Sequence, residues 1–313
     1  MHYYCTIVSK DYLHKGLMLY DSIKKYDMDF KMFFICMQDE VKDLLEKILQ
    51  EKAVFIHIKA VEGQDRKLAS VKAGRNEKEY AWTSKASIFL YLFNNYSELD
   101  HILWLDSDII FYSSPEPIFS ELSLCSVLLT RERFKGNNIK LNNVYGVYNT
   151  GLIGLRRDKN AVGFINWYRR KCIEWCYDKV HKGKWSDQMY LNKIHGNPGW
   201  IRVSKNTEIN VTPWNIQGCM VKKLNDDIYV DGKKLIFYHY SGFKPLNAEE
   251  FELCTYIELQ EDVVKLLYVP YVNSYKQMIN YVNKFKSNLF KGAGLQGCIY
   301  KNYYRLNGDL VHE

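Results

Sequence analysis

The sequence predicts an α/β protein: a mixed, mostly parallel sheet flanked by helices, followed by a helical C-terminal appendage. Short apolar segments alternate with amphipathic helical patterns through most of the chain, as expected for βαβ units. Two carboxylates follow directly after one apolar segment. The 313 residues are 47% hydrophobic and 25% charged, so a sizeable core is expected and a wholly disordered chain is excluded.

The first part of the chain alternates between strand and helix. The predicted elements are strand 6–8, helix 16–26, strand 30–37, helix 41–50 and strand 53–58. In the first helix, Leu17, Tyr20 and Ile23 form an apolar stripe at three-residue spacing. Because single helices separate these strands, we expect right-handed crossovers and a largely parallel sheet. Residues 62–80 are polar, with charges of both signs, and form either a loop or an exposed helix.

The same alternation continues as far as residue 240. The predicted elements are helix 84–96, strand 102–105, helix 118–122, strands 126–129 and 152–155, helices 161–177 and 187–194, and strand 234–240. The composition changes near residue 250, which divides the chain into a main domain, 1–249, and a helical appendage, 250–313. Within 275–291, apolar and aromatic side chains recur at helical spacing with lysines between them. This segment either packs against the main domain or lies on an anionic membrane, and both alternatives stay open.

Charge and targeting signals limit the partners and the compartment. The net charge of +7 is spread along the chain, which fits an anionic partner or simply a basic surface. No basic stripe or nucleic-acid-binding motif is present, so nucleic acid is not an expected partner. The sequence opens without a basic-then-apolar leader, and no apolar run reaches the roughly 18 residues of a membrane span. The prediction is a cytoplasmic protein, placed on the inner face of the membrane if 275–291 binds lipid.

Asp106-Ser107-Asp108 is the central motif, because it ends the apolar strand 102–105. In open α/β sheets, ligands bind outside the carboxyl ends of strands. The two carboxylates repel each other, and a divalent cation removes that repulsion and can bridge to a diphosphate. Two aspartates in a surface turn are the alternative explanation when the motif stands alone.

A second motif, His239-x-x-Gly242-x-Lys244-Pro, follows the late strand. A neutral imidazole can complete a metal site begun by carboxylates. Gly242 allows the backbone to approach a phosphate closely, and Lys244 can hold phosphate charge. The predicted metal ligands are therefore Asp106, Asp108 and His239, and the mixed oxygen and nitrogen set favours Mn²⁺ over Mg²⁺ modestly. Taken singly, His239 is better explained as a core histidine, and Lys244 as a solvated loop charge.

These motifs, in this order, resemble those of the GT-A-fold nucleotide-sugar glycosyltransferases, most closely family 8, which includes glycogenin and bacterial lipopolysaccharide galactosyltransferases. The resemblance covers roughly residues 3–248. It implies a Rossmann-like GT-A catalytic domain, 1–249, that uses a UDP-sugar donor and Mn²⁺ or Mg²⁺. It also implies transfer of a hexose or N-acetylhexosamine, with retention, to a glycan or lipid-linked acceptor.

The same resemblance assigns roles to individual residues. Donor-binding positions are Thr6, Tyr12, Lys85, Ser107, Gly242 and Lys244. Lys85 belongs to a Thr-Ser-Lys segment that resembles a helix start. Asn149 approaches the donor sugar, and Asp187 and Gln188 lie beside its anomeric carbon. The closing motif departs from the family pattern, because only one residue stands between Gly242 and Lys244, where the family has two.

Two other functions fit parts of the sequence. A haloacid-dehalogenase-like phosphatase also carries D-x-D after an apolar strand and would use Asp106 as its nucleophile. A protein that binds a nucleotide-sugar or glycan without turnover would share the binding residues. Trp185, next to the segment 186–188, is the tryptophan expected to contact a sugar, whereas Trp104 is expected in the core.

Overall fold

The computed structural model describes residues 1–194, 199–294 and 300–306. The main strands are β1 (His2–Val8), β2 (Phe30–Cys36), β3 (Ala53–His57), β4 (His101–Leu105), β5 (Ile109–Phe111), β6 (Val127–Arg131), β7 (Tyr148–Arg156) and β8 (Ile201–Val203). Shorter strands follow as β9 (Val221–Leu224), β10 (Asp227–Val230), β11 (Lys233–Lys234), β12 (Phe237–His239), β13 (Lys244–Pro245), β14 (Glu250–Glu252) and β15 (Tyr303–Arg305).

The helices alternate with the strands in the first half of the chain. They are α1 (Leu13–Tyr26), α2 (Asp39–Ile48), α3 (Ile58–Gln64), α4 (Arg66–Val71), α5 (Glu77–Asn95), α6 (Glu116–Leu122), α7 (Asn142–Tyr145), α8 (Lys159–Glu174), α9 (Glu261–Val263) and α10 (Val269–Asn283). A π-helical turn, Val264–Tyr268, joins α9 to α10, and the 3₁₀ turns are Lys10–Tyr12, Lys72–Gly74, Gly136–Leu141 and Gln188–Lys193.

A seven-stranded sheet in the order β3-β2-β1-β4-β7-β6-β8 forms the centre of the fold. Strand β7 runs antiparallel to both of its neighbours, and the other pairs are parallel. This confirms the predicted mixed, mostly parallel sheet. Because β7 is reversed, its first residues lie at the same edge as the carboxyl ends of β1, β4 and β6.

A two-stranded ribbon beside this edge brings the late motif to the early one. Strand β12 pairs antiparallel with β5, and His239 stands opposite Ile109 in that register. Ile109 directly follows Asp108 in the chain. Backbone pairing therefore places the two motifs side by side, although Asp108 and His239 are 131 positions apart in the sequence.

Apolar side chains pack on both faces of the sheet. One layer lies under α1, α2 and the C-terminal helices, and the other lies under α5 and α8. Strand β1 serves both layers, because Tyr4 and Val8 point into the first and Tyr3 and Cys5 into the second. This alternation follows the two-residue period of a strand buried on both faces.

Helix α5 begins earlier than the Thr-Ser-Lys segment that resembled a helix start, so that expectation is wrong. Asn76 caps the helix: its side chain accepts a hydrogen bond from the Glu79 backbone at 2.9 Å, and the Glu79 carboxylate accepts one from the Asn76 backbone at 3.0 Å. This reciprocal capping box fixes the helix start at Glu77. Lys85 consequently lies in the interior of α5.

The C-terminal helix α10 packs against α1. Tyr275 is fully buried, with its ring centroid 5.7 Å from that of His14, and Ile279 is also buried. The apolar face of the predicted 275–291 helix therefore packs against the main domain, which was one of the two alternatives. The helix ends at Asn283. Tyr281 and Phe285 remain exposed, so membrane contact through them stays a prediction. Within the residues that the structure describes, no helix combines the length and apolarity needed to cross a bilayer.

Candidate active site

The site starts at the carboxyl end of β4. The backbone N–H of Asp106 donates a hydrogen bond to the carbonyl of Gly151 in β7 at 2.9 Å. Its carboxylate oxygen Oδ1 accepts a hydrogen bond from the indole of Trp104 at 2.9 Å and lies 3.2 Å from the Lys85 ammonium. Trp104 itself is fully buried, as predicted for a core residue. The first acid of the D-x-D motif is thus fixed by two side chains that contact the same carboxylate oxygen.

Asp108 and His239 contact each other directly. Nε2 of His239 lies 3.0 Å from Oδ1 of Asp108, and both residues are buried. Burial by itself would raise the pKa of the Asp108 carboxyl, but the attraction and hydrogen bond of His239 hold that pKa well below its usual range. Burial likewise opposes the charged imidazole, and Asp108 overcomes this and raises the pKa of His239.

Lys85 joins the D-x-D motif to the Asp187-Gln188 segment. Its side chain is 1% exposed, and its ammonium lies 3.2 Å from Asp106 and 3.2 Å from Asp187. It also donates to the carbonyl of Thr150 at 3.1 Å. Burial would lower the pKa of this lysine, but the two carboxylates raise it, so Lys85 stays charged. The predicted donor-binding lysine is therefore held between two predicted site acids.

Asp187 is a buried carboxylate with a full set of donors. Besides Lys85, it accepts hydrogen bonds from the Tyr168 hydroxyl at 2.8 Å and the Thr150 hydroxyl at 3.3 Å. Ser186 precedes it in a left-handed conformation, with φ of 45°, which turns the chain from the loop into the Asp187-Gln188 segment.

Gln188 presents a fixed amide. Its Nε2 donates to Glu132 at 2.6 Å and to the carbonyl of Tyr145 at 2.9 Å, while its Oε1 accepts from the Thr150 backbone at 3.2 Å. Both N–H groups of the amide are therefore in use, whereas the oxygen keeps one acceptor position. The hydrogen bonds also fix which end of the amide carries the oxygen.

Asn149 and Gly151 shape the space beside His239. Oδ1 of Asn149 accepts the Gly151 N–H at 2.8 Å. A Cβ atom on Gly151 would lie 2.6 Å from the imidazole of His239 and 2.8 Å from Oδ1 of Asn149. Glycine is thus required here by close approach, because any side chain would displace the histidine or the asparagine.

Glu132 belongs to the same cluster and was not singled out in the sequence. It is 3% exposed, bonds Gln188 through Oε1, and leaves Oε2 buried with no hydrogen-bond partner. Burial raises the pKa of this carboxyl to about 7. The available signal was its position, directly after β6, which matches that of Asp106 after β4.

The predicted nucleotide-binding residues are less uniformly placed. Tyr12 is 37% exposed and accessible for base stacking. Ser107 is buried between the two acids, and Thr6 is fully enclosed in β1 with a hydroxyl that has no partner. In the closing motif, Gly242 has φ of 86°, and Lys244 is exposed in the short strand β13. The structure therefore brings the predicted metal- and sugar-binding residues to one edge of the sheet but leaves Thr6 inside the core.

Comparison of the sequence with known proteins identifies two relatives in Bacillus subtilis (strain 168). No protein-family model matches the chain. The uncharacterized protein YfnF of Bacillus subtilis (strain 168) is 30% identical over 256 residues, covering 80% of this chain and 84% of YfnF. This chain belongs to the YfnF family. The uncharacterized protein YfnD of the same organism is 28% identical over 281 residues, covering 89% of this chain and 90% of YfnD.

Solved structures establish the fold. The crystal structure of the galactosyltransferase LgtC in complex with donor and acceptor sugar analogs matches with a TM-score of 0.59 at 14% identity, covering 88% of this chain and 95% of LgtC. A Gln-to-Glu active-site mutant of LgtC matches with a TM-score of 0.56 at 12% identity, covering 89% and 95% of the two chains. The GT-A fold expected from the motifs is confirmed.

The predicted metal ligands form an incomplete cluster. Asp108 and His239 are in contact, and Asp106 lies two residues away with its side chain 27% exposed, but its Oδ1 is held by Lys85. Across the described parts of the chain, no three His, Cys, Asp or Glu side chains are gathered as a ready metal site. The donor types fit a divalent cation, and the pairing of β12 with β5 brings His239 to the aspartates that follow β4. The metal assignment remains a prediction.

Aromatic side chains border the Gln188 side of the site. The ring of Trp185 lies 4.7 Å from that of Tyr145 and 6.0 Å from that of Trp82. On the Glu132 side, the indole of Trp214 donates to the carbonyl of Glu132 at 3.1 Å. These partly exposed faces suit the apolar faces of sugar rings.

Proposed function

We propose that this protein is a metal-dependent glycosyltransferase that moves a hexose or N-acetylhexosamine from a UDP-sugar to a glycan or lipid-linked acceptor, with retention. The observation that carries the proposal is the position of Lys85. This buried cation joins Asp106 of the D-x-D motif to Asp187 beside the predicted anomeric position, in a chain with the GT-A fold.

Asp106, Asp108 and His239 are the residues that would hold Mn²⁺ or Mg²⁺. When bound, the cation acts as a Lewis acid that neutralises the diphosphate leaving group. Two features of the chain favour binding of the cation. Asp108 is kept ionised beside His239, and Asp106 is fixed by Lys85 and Trp104.

Gln188 and Asp187 suit a reaction in which positive charge develops at the anomeric carbon. The remaining acceptor position on Gln188 Oε1 is oriented by hydrogen bonds at both ends of the amide, so no reorganisation is needed when charge appears. Asp187 is fixed by three side-chain donors, and its carboxylate contributes negative charge to the same cluster. Asn149 lies beside His239, where the family resemblance places the donor sugar, and Glu132 holds the Gln188 amide at 2.6 Å.

A donor screen tests the proposal. UDP-hexoses and UDP-N-acetylhexosamines are compared by thermal shift with Mn²⁺, followed by measurement of UDP release. A true donor is expected to raise the melting temperature and to release UDP only when the metal is present. Cleavage of simple phosphomonoesters would support the phosphatase alternative instead, and donor binding without any UDP release would support the non-catalytic one.

Two substitutions test the site itself. We expect Asp187→Asn and His239→Ala each to lower the rate of UDP release on the order of 10²-fold, because each removes an electrostatic stabiliser from the reacting centre. The exposed Glu46→Gln is the matched control and should behave as wild type. Full metal-dependent turnover in both site variants would show that the site is misassigned. The anomeric configuration of the product, measured by NMR, tests retention.

A further inference from the structure

We propose that Lys15 binds the diphosphate of the nucleotide donor from the side of α1, a role that the family resemblance gives to Lys244. The inference rests on the proposed function and specifies which cation of this chain recognises the phosphates.

Lys15 lies between the predicted base-binding residue and the closing motif. It is only 4% exposed, and its ammonium donates to the carbonyl of Phe243 at 2.9 Å. The same ammonium is 4.5 Å from the ring centroid of Tyr12 and 5.5 Å from that of Phe243. A nucleotide stacked on Tyr12 would therefore place its phosphates close to this cation.

The charge of Lys15 is not neutralised by the protein. An ammonium has three donors, and within residues 1–194, 199–294 and 300–306 Lys15 makes one hydrogen bond and no ion pair. Lys85, the other lysine buried to this degree in those residues, pairs with two carboxylates. Burial lowers the pKa of Lys15, against the more distant attraction of Asp108 and Asp11. An unpaired buried charge is costly, and an anionic ligand would offset that cost.

The position of Lys15 in α1 is a second feature that disfavours its charge in the free protein. It is the third residue of α1, where the aligned peptide dipoles are positive and disfavour a cation. The same dipole and the same ammonium both attract an anion. The buried ammonium and the helix dipole, which both destabilise the free protein, would therefore both favour binding of a diphosphate.

Lys244 is placed differently. It is exposed in β13 and pairs through its backbone with Glu252 of β14. The closing motif has a single residue, Phe243, between Gly242 and Lys244, and it is the carbonyl of Phe243 that receives the Lys15 ammonium. The shortened motif therefore holds Lys15 beside the predicted phosphate site while Lys244 faces solvent.

Binding measurements on charge-removing variants test this assignment. Lys15→Gln retains a donor for the Phe243 carbonyl, Lys15→Met keeps the apolar stem, and Lys24→Gln, on the exposed face of α1, is the matched control. UDP and inorganic pyrophosphate are titrated by calorimetry with Mn²⁺, and uridine is measured by ligand-observed NMR. We expect both Lys15 variants to weaken UDP and pyrophosphate roughly 10- to 100-fold, the effect of losing a charged hydrogen bond, with uridine and the control unchanged.

Several outcomes would overturn the proposal. These are unchanged UDP affinity in the Lys15 variants, an equal loss of uridine affinity, unfolding of both variants by circular dichroism, or a loss that appears only in Lys244→Gln. If wild type binds pyrophosphate through Lys15 but binds no UDP, the glycosyltransferase proposal fails while the anion site stands. If wild type binds UDP and the Lys15 variants bind it equally well, only the assignment of Lys15 fails.

Discussion

Several buried residues of the site have polar atoms that lack hydrogen-bond partners. Glu132 Oε2 and His239 Nδ1 are buried without hydrogen-bond partners, and Lys15 keeps unused donors. Such groups lower the stability of the free protein, because their lost hydration is not replaced. Their clustering around one sheet edge is the pattern expected of a binding site that a polar ligand completes.

Glu132 provides a prediction about pH. Its pKa is raised from 4.5 to about 7 by burial, so between these values the native protein keeps a proton that the unfolded chain has released. By itself, this group should therefore lower the free energy of unfolding by about 3 kcal/mol as pH rises through this window. Buried His14, whose pKa is lowered to about 4, acts in the opposite direction over the same range, so the Glu132 contribution is obtained by comparison with a variant. Urea denaturation of the metal-free protein between about pH 4 and about pH 8 measures the effect.

Glu132→Gln is the matched variant, because an amide keeps the size of the side chain and cannot ionise. We expect the free energy of unfolding of wild type relative to Glu132→Gln to fall by that amount across the window, whereas wild type relative to Glu46→Gln, on the exposed face of α2, should stay constant. Identical slopes in wild type and Glu132→Gln would contradict the raised pKa.

At the scale of elements, periodicity predicted most strands and helices, because each is apolar on the face that it buries. The strand 30–37 and the helix 41–50 differ from β2 and α2 by only one or two residues at their ends. Strand direction was not predictable for β7. Its reversal results from pairing with β4 and β6, distant in sequence, and this reversal brings Asn149 to the edge that carries Asp106.

The contacts between side chains within the site could not be predicted from the neighbouring sequence either. Nothing near Lys85 in the chain indicated that it would join Asp106 to Asp187, since the three come together only through packing of α5, β4 and the segment after α8. Glu132, by contrast, had a usable signal, because a carboxylate follows β6 as Asp106 follows β4. The D-x-D and closing motifs were predictable since each is contiguous.

The capping box of α5 gives a prediction at the scale of the element. Asn76→Ala removes the side-chain acceptor for the Glu79 backbone N–H, so the first turn of α5 loses its cap. We expect a loss of about 1 kcal/mol in the free energy of unfolding, measured by urea denaturation. Asn143→Ala, at an exposed asparagine that caps no helix, should change stability by less than about 0.5 kcal/mol. A similar loss in both variants would show that the cap contributes nothing specific.

For the whole molecule, the predicted catalytic domain 1–249 holds every predicted site residue, yet part of its core is supplied by the appendage. Tyr271 stacks on Tyr240 with ring centroids 3.8 Å apart and meets Phe243 at 4.8 Å. Both partners flank Gly242 in the closing motif. The C-terminal helix therefore supports the segment that carries His239 and Lys244.

A chain ending at residue 249 should consequently lose cooperative unfolding, because Tyr240 and Phe243 would be exposed along with much of the face of α1 that α10 covers. Circular dichroism melting and binding of a hydrophobic dye measure this, and strong dye binding with a broad transition is the expected result. A sharp transition and UDP binding in the 1–249 chain would instead show that the catalytic domain folds alone, leaving the appendage free for membrane contact through Tyr281 and Phe285.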